Sequence, residues 1–574
     1  MNTTVIYTTK QLPPKSNLIK HGNIYHNIES EKDITFFGAG VINKTFYTSQ
    51  DSKYHWEVSF SNDPEQLQMS TRGSLCTYVK SELGFKIIPD PIARAMTFYY
   101  SSPGLFIVSN DIKDIIQSLK LFNIEPKRDY MYNLETIALP GPGYTQSPYK
   151  DIKTLEPFEY IEIFQNNFKV TKNKKLSDLI DYAKQATLDD AIDHLKSDII
   201  SNIDAFSNYK VVGDRICQLT GGFDSRLVLA GIKNLNRESE WLYFCSGPKG
   251  TPDKDTFVNL CKHYNLISTN YNGIDITNFP ESHTERLKWD LEFSGGMSLN
   301  IHKYMDGIGN VAMGGAYGEN VRNNYNININ FDEYLSYDDF IDQMYPNINH
   351  KIFKSAFKTD FSNKFREKVI EYKSLGLPSD SILDYFHISI QNRYHFGNYV
   401  SNTNKVLPRF DPLYNIHAMF ISLFLPRNIR KQNIIGLRVM HALYKEMLEL
   451  PFDKEKITPL YEEMYGKVNK KSFSNQYTYK TKNVKYTGTN NRQSTQLQKN
   501  IDTANKLGVN YWQVTEMENA REGVKNIIDS IPNEIKDMYL NTQYINEILN
   551  NPFKDRSNLR MLHNLYSSLL SLTI

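Results

Sequence analysis

The residue types most able to do chemistry in this 574-residue chain are gathered in Thr220-Gly221-Gly222-Phe223-Asp224-Ser225-Arg226. Two adjacent glycines let backbone N–H groups approach an anion closely, and the hydroxyls of Thr220 and Ser225 can complete the cradle. A phosphate or pyrophosphate suits it, above all where a helix N-terminus adds partial positive charge. The loop lacks the Lys-Ser/Thr ending of the Walker type, and with it that loop's phosphate-binding lysine. An aspartate inside the loop suits magnesium instead, a hard cation that takes oxygen ligands. A second glycine-acid run, Val311-Ala312-Met313-Gly314-Gly315-Ala316-Tyr317-Gly318-Glu319, offers another carboxylate. Arg226 points either into the phosphate site or into solvent or an ion pair.

These loops need elements to hold them. The run from Tyr209 to Leu219, with Val211, Val212, Ile216 and Leu219, reads as a buried strand, and Leu227-Val228-Leu229-Ala230 continues as a helix. Trp241-Leu242-Tyr243-Phe244-Cys245 reads as the next strand, and Asp253-Lys254-Asp255 opens a helix running to about Tyr264. Upstream, Ile192, Leu195, Ile199, Ile203 and Phe206 share one face at helical spacing. Alternating strand and helix between 211 and about 330 predicts a parallel sheet with ligands at the carboxyl ends of its strands. Residues 34 to 170 alternate short apolar runs with turns such as Ser102-Pro103-Gly104, which predicts mainly β structure. Thr171 to Lys175 reads as a polar linker, and helices dominate from about 331. The polar run between Asn323 and Asn349 either shapes an acceptor site or is a surface excursion. Lys470 to Asn500 reads as an exposed or mobile loop, and Val524, Ile527, Ile528 and Ile531 mark a C-terminal bundle or interaction surface.

The heptapeptide resembles the Ser-Gly-Gly-x-Asp-Ser pyrophosphate loop of class B asparagine synthetases and β-lactam synthetases, with Thr220 for the usual first serine. The second glycine-acid loop, then Leu407-Pro408-Arg409-Phe410-Asp411-Pro412 and Leu425-Pro426, resemble later landmarks of that synthetase domain in the same order. In the N-terminal third, Asp90-Pro91, Phe98-Tyr99-Tyr100 and Leu105 to Ile112 look like the strand pair of the family's glutamine-hydrolysing domain. Leu139-Pro140-Gly141-Pro142-Gly143-Tyr144 and Ile152 to Pro157 continue that pattern. The resemblance covers most of residues 30 to 430. It implies an α/β chain with a degenerate Ntn-amidohydrolase-like αββα sandwich at 1–175. An adenine-nucleotide α-hydrolase-like synthetase domain follows at 186–470, then a polar loop and helical extension at 471–574.

Carried over residue by residue, Leu219, Thr220, Gly221, Gly222, Phe223, Asp224, Ser225, Arg226, Phe244 and Gly315 are expected to contact ATP, and Asp224 and Glu319 to hold Mg2+. A catalytic lysine is expected a few tens of residues after Leu425-Pro426, where Lys467, Lys470 and Lys471 fall, and Lys470 and Lys471 are carried forward. Tyr317 either assists deprotonation of the amine or is a packed structural tyrosine. Two departures stand out. Active glutaminases of this type use an N-terminal cysteine, whereas this chain begins Met1-Asn2-Thr3-Thr4 and has no cysteine before Cys76; Thr3 would serve as a nucleophile only after loss of two residues. Ser401-Asn402-Thr403-Asn404-Lys405 lacks the glutamate that relatives carry before the later landmark.

The chemistry follows from the loop pair. Forming an amide from a carboxylate and an amine in water needs activation, and attack on the α-phosphate of ATP gives an acyl-adenylate and pyrophosphate, whose charge loop amides and magnesium stabilise. The expected activity is therefore an AMP-forming amide ligase without its own glutamine hydrolysis. Its partners would be a carboxylate substrate and an amine acceptor, within one molecule or peptide or in two. β-Lactam or macrolactam closure, peptide modification and amidation of a small molecule or sugar acid are all open. The other reading is a catalytically degenerate scaffold that binds a nucleotide or partner. Sixty-six basic and 64 acidic residues leave no electrostatic footprint for nucleic acid. No apolar run approaches a membrane span and no basic-then-apolar leader is seen, so a cytoplasmic protein is expected, with a homo-oligomer or a pathway partner both open. The four cysteines, Cys76, Cys217, Cys245 and Cys261, lack zinc-site spacing and read as packing thiols.

Overall fold

The computed structural model describes residues 3–10, 18–29, 33–53, 63–139, 143–245, 250–269, 283–294, 309–325, 341–342, 344–474, 476–482, 498–508, 511–551 and 556–572. The body of the expected polar insert (326–340), the centre of the expected polar loop (483–497), residues 140–142 and the first two residues lie outside them.

Two antiparallel sheets form the N-terminal region. In one, Thr4–Thr8 pairs with Leu105–Ser109 and Ile24–His26, and the sheet continues through Phe98–Ser102 to Ile152–Thr154. In the other, Ile34–Ile42 pairs along its length with Thr71–Ser81, flanked by Thr45–Thr48 on one side and Gly84–Pro89, Glu159–Phe164 and Phe168–Lys172 on the other. Strand periodicity sorts the side chains. Val5, Tyr7, Phe106 and Val108 meet Phe37, Cys76, Tyr78 and Ile161 in a core shared by both sheets. Ile6, Leu105 and Ile107 face outward onto the helix Ile112–Lys120, and Phe36, Leu75 and Val79 share a cluster with Leu67 of the helix Pro64–Ser70. Each sheet thus carries a helix on its outer face.

Thr171 and Lys172 are not linker. They end the edge strand Phe168–Lys172, and the helix Lys175–Gln185 follows almost at once. In this edge strand Phe168 and Val170 pack against the shared core, while the alternate residues Lys169 and Thr171 point to the other face and stay polar.

The third sheet is parallel throughout, in the order Arg409–Phe410, Val311–Met313, Arg215–Gln218, Leu242–Phe244, Ile267–Thr269, Lys480–Lys482. The helix Leu188–Ser207 buries Ile192, Leu195, Ile199, Ile203 and Phe206, the face expected from spacing, and a capping box at Thr187 and Asp190 starts it. The first strand is shorter than expected: Val212 is 99% exposed, because the Gly213 N–H turns aside to bond the Gly309 carbonyl at 2.7 Å. The sheet also extends past 470, since Lys480–Lys482 pairs with Ile267–Thr269 although its three side chains are exposed. The expected domain limit at 470 thus cuts through a sheet that the backbone keeps whole.

Helices fill the remainder. Tyr511–Ile527 and Arg556–Ser571 pack together, and the second reaches back to the helix Tyr130–Ala138, where the Asn564 Nδ2 group donates to the Ile137 carbonyl at 3.1 Å and Asn133 Nδ2 to that of Ser568 at 3.0 Å. Among the described residues no helix is long and apolar enough to cross a membrane. All four cysteines are buried.

Candidate nucleotide and metal site

In the parallel sheet the chain lays its first strand centrally, adds two strands on one side, then returns to build the other side from Val311–Met313. The reversal lies between Arg215–Gln218 and Val311–Met313. Loops leaving the carboxyl ends of strands diverge at such a point and open a crevice. Both glycine-acid runs leave there.

The first loop is organised by its own polar groups. Thr220 N–H donates to Ser225 Oγ (3.0 Å), Gly222 N–H donates to Thr220 Oγ1 (3.1 Å), and Gly221 N–H donates to Asp253 Oδ1 (2.6 Å). Leu219, fully buried, donates its N–H to the Phe244 carbonyl at 2.8 Å, fixing the loop to the neighbouring strand. The helix Phe223–Asn234 then begins at Gly222 without a side-chain cap, so no capping side chain satisfies its N-terminal donors.

The second loop lies directly on the first. A methyl group on Gly315 would stand 2.8 Å from Ser225 N, and one on Gly318 would stand 2.5 Å from Asp224 Oδ1, so neither position admits a side chain without displacing the first loop. Ala316 N–H donates to Asp411 Oδ1 (3.1 Å), and Arg409 holds that carboxylate through Nε and Nη2, both at 3.1 Å. The Leu407 to Pro412 landmark therefore acts as a bracket for the second loop.

Two carboxylates converge. Asp224 Oδ2 accepts from Arg322 Nη2 at 2.6 Å, while Asp224 Oδ1 is buried with no hydrogen-bond partner among the described residues. Burial pushes this carboxyl up, the Arg322 guanidinium pulls it down and the charge of Glu319 raises it further. Glu319 is raised by burial but held down to about 2 by the His387 imidazole, its own backbone N–H and Arg322. His387 Nε2 lies 3.9 Å from Glu319 Oε1, too far for a hydrogen bond. Among the described residues no three His, Cys, Asp or Glu side chains gather as a complete metal cage. Magnesium needs no such cage, because it usually takes one or two carboxylates and completes its shell with phosphate oxygens and water.

A π-helix supports Glu319. His387–Gly397 winds with the wider turn, in which residues five apart share a face, and this brings both His387 and Asn392 to Glu319. Asn392 Nδ2 donates to Glu319 Oε1 at 3.0 Å and to Asn320 Oδ1 at 2.5 Å. Asp384, clamped by Arg430 Nε at 3.0 Å, accepts from Asn323 Nδ2 and the Asn324 N–H and so fixes the end of the loop.

Several expected residues stand elsewhere. Arg226 is fully buried and faces neither phosphate site nor solvent: its guanidinium donates to the carbonyls of Met447 and Pro451 and stacks at 3.7 Å on Phe452. Lys470 pairs with Glu455 and Lys471 with Glu449 (2.5 Å), both half-exposed. Tyr317 is buried, with its hydroxyl 3.0 Å from Ser74 Oγ in the N-terminal sandwich and pushed up to about 12 by burial, opposite to what a base needs. Phe244 supplies a backbone acceptor and packs with Ile216, Leu242, Ala312 and Leu407.

Lys456 and Arg322 were not singled out by the sequence. Lys456 Nζ is 3.4 Å from Asp453, whose N–H donates to the Gly221 carbonyl, and its charge lowers the Asp224 carboxyl. It also lies a few tens of residues after Leu425-Pro426, so the expected window, begun nearer the landmark, would have included it. Arg322 had no sequence signal beyond closeness to Glu319. The segment Ser401–Lys405 faces away: Ser401 Oγ donates to the Arg94 carbonyl at 3.0 Å and Lys405 pairs with Asp111 at 2.9 Å. In the sandwich, Thr3 is buried with its N–H on Asn110 Oδ1 (2.6 Å), and burial pushes the Cys76 thiol up to about 12.

No family model and no curated protein matches this chain.

Proposed function

We propose that this protein is an ATP- and Mg2+-dependent, AMP-forming amide ligase that activates a carboxylate as an acyl-adenylate and does not hydrolyse glutamine. The observation that carries the reading is Asp224: its Oδ1 is buried without a partner at the uncapped start of a helix, beside a second carboxylate, Glu319. An unpaired buried carboxylate oxygen is costly unless a cation meets it. Thr220, Gly221, Gly222 and Ser225 would cradle the pyrophosphate, and Asp224 and Glu319 would hold the metal. Magnesium bound there supplies charge stabilisation at the phosphate oxygens. The chain's own residues orient the nucleotide through loop amides, fix Glu319 through Asn392, and bring the Lys456 cation to the charge that develops on phosphate.

The resemblance to asparagine and β-lactam synthetases supports the same assignment, with an adenine-nucleotide α-hydrolase-like synthetase domain and an Ntn-hydrolase-like sandwich. A cytoplasmic setting and an amine supplied within the substrate or by a separate donor go with this reading. Arg322 favours a second one, a nucleotide- or partner-binding scaffold, since its guanidinium occupies Asp224 Oδ2 at 2.6 Å, an atom a metal would share or release.

Calorimetry of ATP binding with and without Mg2+ tests the proposal. ATP binding that Mg2+ tightens, with that gain lost in folded Asp224→Ala, is the expected result, followed by pyrophosphate release once a carboxylate and an amine are supplied. Binding unaffected by the substitution would remove Asp224 from the metal site.

A further inference from the structure

We propose that Arg94, a residue of the N-terminal sandwich, is a positioning residue for the metal-binding loop, holding the turn before Glu319 in place through Tyr317. The inference rests on the nucleotide and metal reading above and extends it to a part of the chain expected to be a remnant.

Arg94 is 0% exposed, yet its Nε, Nη1 and Nη2 have no hydrogen-bond partner among the described residues. A buried guanidinium ordinarily satisfies its five donors or pairs with a carboxylate. Here the buried Asp90 carboxylate supplies opposite charge nearby without a direct hydrogen bond, and the contact is aromatic: the guanidinium carbon lies 3.4 Å from the centre of the Tyr317 ring and 5.0 Å from that of Tyr414. A planar, weakly hydrated cation gains from such faces most where water is excluded.

The stack sits at a strained position. Tyr317 has φ +83°, a conformation rare for a side chain of its bulk and kept only when the surroundings over-determine it. Three contacts do so: Arg94 on its face, Tyr414 edge-on at 5.8 Å, and Ser74 on its hydroxyl. The next residue is Gly318, against which the Asp224 carboxylate packs, and the one after is Glu319. Relaxing φ at Tyr317 would therefore swing Glu319 away from Asp224.

A second route leads to the same place. The Arg94 backbone is fixed by the Ser401 hydroxyl on its carbonyl, and it is the surface on which Gly397 packs, where a methyl group would be 3.0 Å from the Arg94 oxygen. Gly397 ends the π-helix whose Asn392 binds Glu319. One residue of the sandwich thus braces Glu319 from both sides. The sandwich is retained, on this account, because the metal site is incomplete without it.

The test is titration of Mn2+, standing in for Mg2+, into protein saturated with ATP, followed by electron paramagnetic resonance, beside metal-free ATP binding and thermal unfolding. Arg94→Met is expected to weaken Mn2+ binding about tenfold or more, the scale of lost outer-shell support, and to leave metal-free ATP binding unchanged. Arg94→Lys, which keeps the charge and loses the plane, should fall between. Equal Mn2+ affinity in wild type and Arg94→Met would overturn the role of Arg94 while the nucleotide reading stands. An equal loss with and without metal would also overturn it, as a merely structural defect. Failure of the wild type to bind Mn2+ with ATP would sink the nucleotide reading and this inference with it. If Arg94→Met does not fold, Tyr317→Leu, which removes the ring from the other side of the stack, is read in the same titration with the same expectations.

Discussion

The N-terminal sandwich and the parallel-sheet region bury polar groups for opposite ends. In the sandwich they are sealed: Cys76 lies between two sheets with its thiol pushed up to about 12, Asp90 is raised by burial to about 6, and the Thr3 N–H is tied to Asn110. At the carboxyl edge of the parallel sheet they converge on a crevice, with Asp224, Glu319, Arg322 and Lys456 close enough for their charges to act on one another. Topology accounts for the difference. Two antiparallel sheets facing each other leave their core between them, whereas a parallel sheet delivers every following loop to one edge and opens it where strand order reverses. On the proposed reading the sealed domain supplies rigidity and the edge supplies chemistry, with the contact of Arg94 on Tyr317 joining the two.

The comparison breaks most sharply at the lysines. Lys456→Met should lower pyrophosphate release by about 100-fold or more, as loss of a cation at developing charge does, with Lys470→Met and Lys471→Met lowering it far less. The reverse order, read in the same pyrophosphate assay, would move the catalytic cation out to the surface loop.

Acid should discriminate next. Burial pushes both His26, in the sandwich, and His417, on the helix Ile416–Phe424, down to about 4 from an ordinary 6.5. Each is neutral in the folded chain while the unfolded chain takes up a proton, so stability is present above pH 6.5 and is lost as pH falls from 6.5 towards 4. The loss should reach about 1–2 kcal/mol per histidine after allowance for solvent screening. Urea unfolding across that range should show the slope reduced in His26→Leu and in His417→Leu; an unchanged slope in both would mean that neither group is held neutral by the fold.

The smallest effect belongs to Cys76. Cys76→Ala should cost about 1 kcal/mol of unfolding free energy from lost core volume and leave Mg2+-dependent ATP binding as it was. Altered nucleotide binding would mean that the sealed core talks to the crevice by a route other than Arg94.

Much of the frame was legible because its causes are local. Two glycines followed by an acid between an apolar strand and an apolar helix can be read from neighbours in the chain, as can the buried face of Leu188–Ser207, where a repeat of 3.6 residues places Ile192, Ile199 and Phe206 on one side. Misreadings came where the local signal was real but a distant group overrode it. Val211 and Val212 carry strand-forming side chains, yet a hydrogen bond to Gly309 turns the chain there. Lys480–Lys482 looks like loop and pairs as an edge strand, because pairing is a backbone property.

The sequence by itself determined the strand, turn and helix around Asp224, the alternation that builds the sandwich, and the order of the two acidic loops, since each depends on contacts a few residues long. Tertiary structure alone decided that Arg226 turns inward, that Lys456 rather than Lys470 or Lys471 lies near Asp224, that a π-helix presents His387 and Asn392 to Glu319, and that Arg94 stacks on Tyr317. Those partners are separated by tens to hundreds of residues, and the choice among many chemically equivalent arginines and lysines is made only when packing closes the long loops between them.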